Sequence, residues 1–164
     1  MIEKSTFLLL ISLMFVGCSF KSPINFTDEA LNDSFFNINN KSIQLKEILA
    51  KHKGQKILIN IWASWCRDCV VGLTDFKEFQ KKNPTVKYLF LSTDRSIFGW
   101  KKAIEKYDIK GEHYFLKNGL NSAFGGFLNS NRIPRYMVLN ENGIIDLFKS
   151  KKITDKGIVE ALKK

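Results

Sequence analysis

The spacing of apolar residues changes several times along the chain, and each spacing predicts a different element. Residues 57–61 are apolar almost throughout, which is typical of a strand buried on both faces of a sheet. Other short segments have the apolar, β-branched and aromatic content of strands: residues 35–38, 42–44, 86–91, 114–116, 136–139 and 144–148. Asn-rich turns at residues 39–41 and 140–143 predict that the strands flanking each turn pair as hairpins.

Helices are indicated where apolar residues recur every three or four positions. Such spacing predicts helices over residues 45–49, 70–79, 97–107 and 154–162. Thr154 is predicted to cap the start of the last helix, and Asp94 is interpreted as a helix cap rather than as an acid. Residues 120–128 form at best a weak helix, because Gly125 and Gly126 interrupt them.

The order of these elements predicts the class of fold. Two strands and a helix are followed by alternating strands and helices, and a hairpin and a helix end the chain. This alternation predicts an α/β protein with helices on both faces of a central sheet, whose parallel strands are joined by crossover helices. The 164 residues are enough for one domain with a buried core, which we assign to residues 30–164. Trp62 and Trp100 are predicted to belong to that core.

The charge balance is strongly basic. Lys and Arg number 26 against 16 Asp and Glu, which gives a net charge of +10. Such a balance could favour nucleic acid or an anionic membrane surface. The lysines, however, are scattered as pairs and singles, and no basic stripe is interleaved with aromatic residues. A solvated basic surface is therefore the better interpretation, and no nucleic-acid partner is expected.

The N-terminal segment has the pattern of an export signal. Residues 7–16 are almost wholly apolar, but a membrane-spanning helix needs about 20 apolar residues, so this run has the length of a signal-peptide core. We therefore assign residues 1–17 to a signal peptide. The sequence Phe-Val-Gly-Cys at residues 15–18 resembles the lipobox of bacterial lipoproteins, although Phe15 stands where Leu is usual. This resemblance implies that Cys18 is lipidated after cleavage.

Residues 18–29 are then the lipidated cysteine and a tether, in which residues 21–25 are polar for the most part. The alternative is ordinary cleavage, which would release a soluble protein. Either outcome places the domain outside the cytosol, in a compartment where disulfides persist. With a lipid on Cys18, the domain would be anchored to a bacterial membrane, would face the periplasm and would lie close to the membrane surface.

Two cysteines form the candidate redox centre. Cys66 and Cys69 follow the strand of residues 57–61 and open the next helix. Residues three apart share a face of a helix, so the two sulfurs can form a disulfide without moving the backbone. The helix N-terminus also favours a thiolate at Cys66. A cysteine pair in this position is typical of a redox centre.

A structural disulfide and a zinc site are the alternatives for this pair. A disulfide across three residues closes a very small loop and stabilises a fold little, so a structural role is disfavoured. A zinc site needs two more ligands, and His52 and His113 lie far apart without the spacing of zinc ligands. We therefore expect no metal, and we interpret both histidines as ordinary surface or partly buried residues.

The sequence around the pair, Trp-Ala-Ser-Trp-Cys-x-x-Cys at residues 62–69, resembles the active site of proteins with the thioredoxin fold. Residues 32–64 resemble the N-terminal extension, first helix and first long strand of the TlpA/ResA-type extracytoplasmic thiol–disulfide oxidoreductases. Residues 133–143, which begin with Ile-Pro, resemble the cis-proline, strand and turn of the same family. The resemblance covers approximately residues 30–164. It implies a thioredoxin fold, with a central mixed β-sheet flanked by helices on both faces and an N-terminal β-hairpin and helix extension.

The resemblance implies a role for each residue of the site. Cys66 would be the nucleophile that attacks a substrate disulfide, and Cys69 the resolving thiol that releases the mixed disulfide. Pro134 would hold a cis peptide bond opposite the cysteines, and the backbone of Ile133 would pair with a bound peptide. Trp65 would pack beside the sulfurs as a flat apolar surface.

Several positions depart from the family pattern. Arg67 and Asp68 stand between the cysteines, where Arg67 should favour a thiolate on the first cysteine and Asp68 should oppose it. Asn60 stands where thioredoxin carries a buried aspartate, and Gly72 where the ResA type carries a glutamate. The usual proton acceptor for the second cysteine is therefore absent, and Asp68, Asp75 or a water would have to replace it.

These observations predict a thiol–disulfide oxidoreductase that reduces or exchanges disulfides in exported proteins through Cys66 and Cys69. The chemistry would need no bound cofactor, only a thiol donor that resets the pair, and the sequence does not identify that donor. Two alternatives stay open: a non-catalytic thioredoxin-fold lipoprotein acting as a binding module, and a peroxide-reducing redoxin. The missing proton acceptor favours the first, whereas the second would require a single reactive cysteine in a Thr/Pro-rich loop.

Overall fold

The computed structural model describes residues 22–130 and 132–164. Cys18 and the signal peptide assigned to residues 1–17 lie outside the described residues. The strands are β1 (Ser34–Asn37), β2 (Ser42–Gln44), β3 (Ile57–Trp62), β4 (Lys87–Ser92), β5 (Glu112–Leu116), β6 (Arg135–Leu139) and β7 (Ile145–Ser150). The helices are α1 (Asp28–Leu31), α2 (Leu45–Ala50), α3 (Arg67–Val71), α4 (Leu73–Lys82), α5 (Ile97–Lys106), α6 (Ala123–Leu128) and α7 (Lys156–Lys163).

The strands form one seven-stranded mixed sheet in the order β2-β1-β5-β4-β3-β6-β7. The three central strands β3, β4 and β5 are parallel, as expected for strands joined by crossover helices. All other neighbours in the sheet are antiparallel. The two hairpins predicted from the Asn-rich turns are confirmed as the pairs β1–β2 and β6–β7.

Helices cover both faces of the sheet, and each face has its own apolar core. On one face α4, α5 and α7 bury side chains that include Phe76, Trp100 and Ile158. On the other face α1, α2 and α6 cover a second core. Trp62 and Trp100 are fully buried, so the prediction that both are core residues is confirmed. The predicted α/β class, a mixed sheet flanked by helices on both faces and preceded by a hairpin and a helix, is confirmed as well.

The strand directions bring three loops to the same end of the sheet. Cys66 lies just after the carboxyl end of β3, and residues 93–95 follow the adjacent parallel strand β4. β6 runs antiparallel to β3, so the loop before Arg135 reaches this end too. The carboxyl end of parallel strands is where open α/β sheets place their sites, because several loops converge there.

Some elements differ from the predicted ones. The helix predicted over residues 70–79 consists of two helices, α3 and α4, which meet at Gly72. Residues 119–121 form a 3₁₀ turn, and α6 follows it in the segment where only a weak helix was expected. α1 was not predicted, because its four residues are too few to show a helical repeat.

Two predicted helix caps are wrong. Asp155, the residue after Thr154, occupies the N-cap of α7, and its carboxylate accepts a hydrogen bond from the Ser150 hydroxyl at the end of β7. This hydrogen bond attaches the N-cap of α7 to the end of β7. Ser96 rather than Asp94 caps α5, because the Ser96 hydroxyl accepts a backbone N–H of the first turn at 3.0 Å.

His52 is more buried than the sequence indicated. Its side chain is 7% exposed, and Nε2 lies 3.0 Å from a carboxylate oxygen of Glu112. Burial alone would raise the pKa of Glu112, but the hydrogen bond from the Tyr114 hydroxyl and the positive charge of a protonated His52 together hold it below its usual value. Within the described ranges, no group of three or more His, Cys, Asp or Glu side chains is arranged to hold a metal ion.

The segment before α1 contacts the domain. The carbonyl oxygen of Ile24 accepts a hydrogen bond from the backbone N–H of Ile145 at 2.8 Å. The Phe26 ring packs against Phe127 at a centroid distance of 5.1 Å. Contacts with the domain therefore begin inside residues 18–29, the segment assigned to the lipidated cysteine and tether. Among the described helices, none is long and apolar enough to cross a membrane.

Candidate active site

The Cys66–Cys69 pair is a disulfide at the start of α3. The two Cα atoms lie 5.2 Å apart, within the usual range for a disulfide. Cys66 is the N-cap of the helix, and the backbone N–H of Cys69 points at Sγ of Cys66 at 3.2 Å. A donor in this position stabilises a thiolate on Cys66 once the pair is reduced. Cys66 is 8% exposed and Cys69 only 2%, so the first cysteine is the more accessible one.

The loop before β6 lies against this disulfide. The peptide bond between Ile133 and Pro134 is cis, as the sequence predicted. The Ile133 carbonyl oxygen lies 3.7 Å from Sγ of Cys66. The structure therefore brings together Cys66 and the Ile133–Pro134 pair, which lie far apart in the sequence.

Trp65 lies on the surface next to Cys66. It is 57% exposed, which is unusual for a residue of this size and leaves its ring free to contact a partner. The guanidinium of Arg95, from the loop after β4, lies over the Trp65 ring at 5.8 Å. An exposed aromatic ring is therefore present at this position, and the Arg95 guanidinium covers one side of it.

Asp94 is a structural residue of the site that the sequence interpretation missed. Its carboxylate, 5% exposed, accepts hydrogen bonds from the Ser64 hydroxyl at 2.6 Å and from the Ser64 backbone N–H at 3.0 Å. It also accepts one from the Ser92 hydroxyl at 2.8 Å. Asp94 thus holds the loop that leads into Cys66. Its position after β4, beside the loop after β3, is the signal that could have identified it.

A groove of about 550 Å³ opens beside the disulfide, and we call it the redox groove. One side is formed by residues of α3 and α4: Asp68, Val71, Gly72 and Asp75. The other side is formed by residues around β6 and in the loop before α7: Arg132, Ile133, Pro134, Arg135, Tyr136, Lys151, Lys152, Ile153 and Thr154. Of the two residues between the cysteines, Asp68 lines this groove, and Arg67 is exposed beside it.

Two carboxylates of the family pattern are absent here. The amide of Asn60 stands in place of the aspartate, and the Tyr136 phenol lies beside Gly72, which stands in place of the glutamate. Asn60 is buried opposite Tyr136 in the β3–β6 ladder, and its Oδ1 has no hydrogen-bond partner in the described part of the chain. The Tyr136 hydroxyl lies over Gly72, because a Cβ on that glycine would sit 3.7 Å from it. Burial, and then the charge of Asp75, raises the pKa of Tyr136 well above its usual value. Asp75 and Tyr136 both line the redox groove.

Comparison with known proteins gives the following similarities. A family model described as thioredoxin-like matches residues 54–145. The thioredoxin-like protein YneN of Bacillus subtilis is 29% identical over 104 residues, which cover 61% of this chain and 59% of the relative. The thiol–disulfide oxidoreductase ResA of Bacillus cereus is 26% identical over 92 residues, which cover 55% of this chain and 51% of the relative. The chain thus matches between about half and three fifths of the length of these curated relatives.

A solved structure extends the similarity to most of the chain. The solution structure of a candidate thiol–disulfide oxidoreductase from Bacteroides vulgatus superposes with a TM-score of 0.67 at 28% identity, covering 82% of this chain and 86% of that one. The thioredoxin domain of another Bacteroides vulgatus protein, named a thiol–disulfide oxidoreductase, superposes with a TM-score of 0.65 at 16% identity. The superposition covers 85% of this chain and 97% of that domain. At that identity the second likeness concerns the fold alone.

Proposed function

The chain belongs to the thioredoxin-like family, and we propose on this basis that it is a thiol–disulfide oxidoreductase whose redox centre is Cys66 and Cys69. The observation that carries the proposal is the Cys66–Cys69 disulfide at the start of α3, with Sγ of Cys66 close to Ile133 and the cis-proline. The ResA relative is named for the same activity.

In the reducing direction the pair reacts as two thiols. The Cys66 thiolate attacks one sulfur of a client disulfide, so that a Cys66–client disulfide forms and the other client sulfur leaves as a thiolate that takes up a proton. Cys69 then loses its proton and attacks Sγ of Cys66. The Cys66–Cys69 disulfide forms again, and the second client thiol is released. Two electrons have passed from the protein to the client, and an external thiol donor returns them.

The surroundings of each sulfur support this division of roles. Cys66 is the more exposed cysteine, and the Cys69 N–H stabilises its thiolate. The backbone of Ile133 and the exposed Trp65 ring are the surfaces on which a client segment would lie. Arg67 is cationic and would stabilise the Cys66 thiolate, whereas Asp68 is anionic and would destabilise it. No bound cofactor takes part in this scheme.

We further propose that the clients are exported proteins. The signal peptide assigned to residues 1–17 and the lipobox-like cysteine at position 18 support an extracytoplasmic domain, anchored by a lipid on Cys18 and facing the periplasm. In such a compartment disulfides persist and need enzymes that reduce or rearrange them.

A trapping experiment in the native cell tests the mechanism. In a Cys69→Ser variant the resolving thiol is lost, so the Cys66–client disulfide should accumulate and appear on a non-reducing gel. The captured proteins should carry export signals. A Cys66→Ser/Cys69→Ser double variant is the control, because it retains Cys18 and should trap nothing.

The purified protein gives the complementary measurement. After reduction with dithiothreitol and removal of the reductant, wild type should reduce a peptide disulfide in stoichiometric amount, and Cys66→Ser should not. Absence of both trapping and peptide reduction would contradict the oxidoreductase proposal and favour the binding module.

A further inference from the structure

The redox groove carries opposite charges on its two sides. The α3–α4 side presents Asp68 and Asp75, both exposed. The β6–β7 side presents four cations: Arg132, Arg135, Lys151 and Lys152. A second depression shares three of these cations and adds Lys149 and one carboxylate, Asp155, so the cationic side continues outward along β7. The groove as a whole is cationic, and its positive charge lies on the side opposite α3 and α4.

These cations are available to a ligand. In the described part of the chain, none of the four lies within ion-pair distance of a carboxylate. The Arg135 guanidinium donates hydrogen bonds to the Ser130 hydroxyl, at 2.9 Å from Nη2, which positions it without neutralising its charge. Lys151 and Lys152 are exposed, and Asp155 beside them accepts from Ser150 and from the Lys151 backbone N–H.

The groove also adjoins the reacting sulfur. Ile133 lines it, and the carbonyl oxygen of that residue lies 3.7 Å from Sγ of Cys66. A polypeptide whose cysteine reacts with Cys66 has to place its neighbouring residues along Ile133 and Pro134. Side chains directed toward β6 and β7 would then meet the cations, whereas those directed toward α3 and α4 would meet Asp68 and Asp75.

We infer that this chain selects client segments with acidic residues next to the reacting cysteine, held by Arg132, Arg135, Lys151 and Lys152. The inference rests on the proposed oxidoreductase function and adds the chemical class of its clients. A polypeptide is the occupant, because the cations lie on one side of a groove whose lining includes Ile133, the neighbour of Cys66, rather than on a flat face that a bilayer could cover. Charge complementarity of this kind acts mainly on the rate of association.

The test compares three disulfide peptides of equal length in which the residues next to the cysteines are Glu, Gln or Lys. Purified full-length protein, reduced beforehand, is mixed with each peptide, and the second-order rate constant of peptide reduction is measured. We expect the acidic peptide to react about tenfold faster than the neutral one at low ionic strength. The difference should shrink at about 0.5 M salt, where charges are screened over a few ångströms.

Two charge-reversal variants, one in the groove and one outside it, show whether the preference for the acidic peptide comes from the groove. Lys151→Glu/Lys152→Glu should slow the acidic peptide about tenfold and leave the neutral peptide within about twofold. Lys82→Glu/Lys87→Glu changes the net charge equally, but at the end of α4 and at the start of β4, where Lys87 pairs with Ile57 at the start of β3. This control should leave all three rates unchanged. Circular dichroism confirms that both variants are folded.

Each other outcome overturns the inference. Equal rates for the three peptides in wild type would show that the groove does not select by charge, while the oxidoreductase function would stand. Equal slowing by both variants would show that only the net charge matters. If Lys151→Glu/Lys152→Glu weakened binding to vesicles of anionic phospholipid and left the peptide rates unchanged, the cations would serve a membrane. Failure to reduce any of the three peptides would overturn this inference, and absence of trapping by Cys69→Ser as well would overturn the proposed function.

Discussion

At the scale of single residues, the loop that carries Cys66 depends on a buried carboxylate. Asp94 accepts hydrogen bonds from both the backbone N–H and the hydroxyl of Ser64. It also accepts one from Ser92 on the neighbouring strand. A buried carboxylate needs such donors, because burial without them would cost several kcal/mol. Asp94 therefore fixes the loop after β3 to the end of β4.

We expect Asp94→Ala to lower the free energy of unfolding of the oxidised protein by about 2–4 kcal/mol, because it leaves the Ser64 and Ser92 donors without an acceptor. Asp94→Asn retains one accepting oxygen and should lose roughly half as much. Denaturant titration followed by tryptophan fluorescence measures both values. A loss below about 0.5 kcal/mol in Asp94→Ala would show that these hydrogen bonds do not stabilise the loop.

The positions of the disulfide and of the cis-proline could be predicted from the sequence because their signal is local. Cys66 and Cys69 stand at a fixed spacing after an apolar strand, and the Ile133–Pro134 pair precedes another. Asp94 could not be assigned in the same way. A carboxylate before a helical repeat has the pattern of a cap, and only the pairing of β3 with β4 reveals that Ser64 lies beside it.

At the scale of elements, α6 contains two adjacent glycines with different surroundings. A Cβ on Gly125 would overlap the backbone carbonyl of Leu120 in the preceding 3₁₀ turn. A Cβ on Gly126 would meet nothing within 4 Å. Gly125 is therefore required for the close approach of two backbone segments, whereas Gly126 is a weak helix former in an open position.

The two glycines should respond oppositely to alanine. Gly125→Ala should destabilise the protein by about 1–3 kcal/mol, since backbone has to move to admit the methyl group. Gly126→Ala should stabilise it by about 0.5–1 kcal/mol through helix propensity. Thermal unfolding of both variants beside wild type checks the pair, and the same sign of change in both would contradict this account of α6.

The elements themselves were mostly predictable, since apolar, β-branched and aromatic segments identified every described strand and helical repeats identified the longer helices. The departures occur where tertiary contacts override a local pattern. α6 forms despite its glycines because Phe124 and Leu128 are buried in the core. The long helix after the cysteines divides at Gly72, beside the Tyr136 hydroxyl. Neither contact is visible in a single sequence.

At the scale of the whole molecule, a partly buried histidine links stability to pH. The His113 ring stacks on Phe90 with centroids 5.0 Å apart, and its Nε2 lies 2.9 Å from the carbonyl oxygen of Ile109. A neutral ring with its proton on Nε2 donates that hydrogen bond. Nδ1 is buried and has no partner in the described ranges, so protonation would add a donor without an acceptor. Burial lowers the pKa of His113, although the Ile109 carbonyl opposes this.

The sign of the effect follows from this lowered pKa. The unfolded chain binds a proton at His113 near pH 6.5, whereas the folded chain binds it only at lower pH, so stability falls as pH decreases below about 6.5. His113→Gln should remove that contribution. Denaturant titrations of wild type and variant at pH 7.5 and pH 5 measure it. Equal losses of stability on acidification in the two proteins would contradict the assignment to His113.

The hydrogen bond between Ile24 and Ile145 attaches the entering chain to the end of the sheet opposite the disulfide. Ile145 pairs with Leu139, which lies opposite Ile57 at the start of β3, whereas Cys66 follows the end of that strand. Roughly 17 Å of strand therefore separates the entry of the chain from the disulfide. The link from Cys18 to Ile24 can span at most about 20 Å. A lipid on Cys18 would thus keep the end of the sheet opposite the disulfide within about 20 Å of the bilayer.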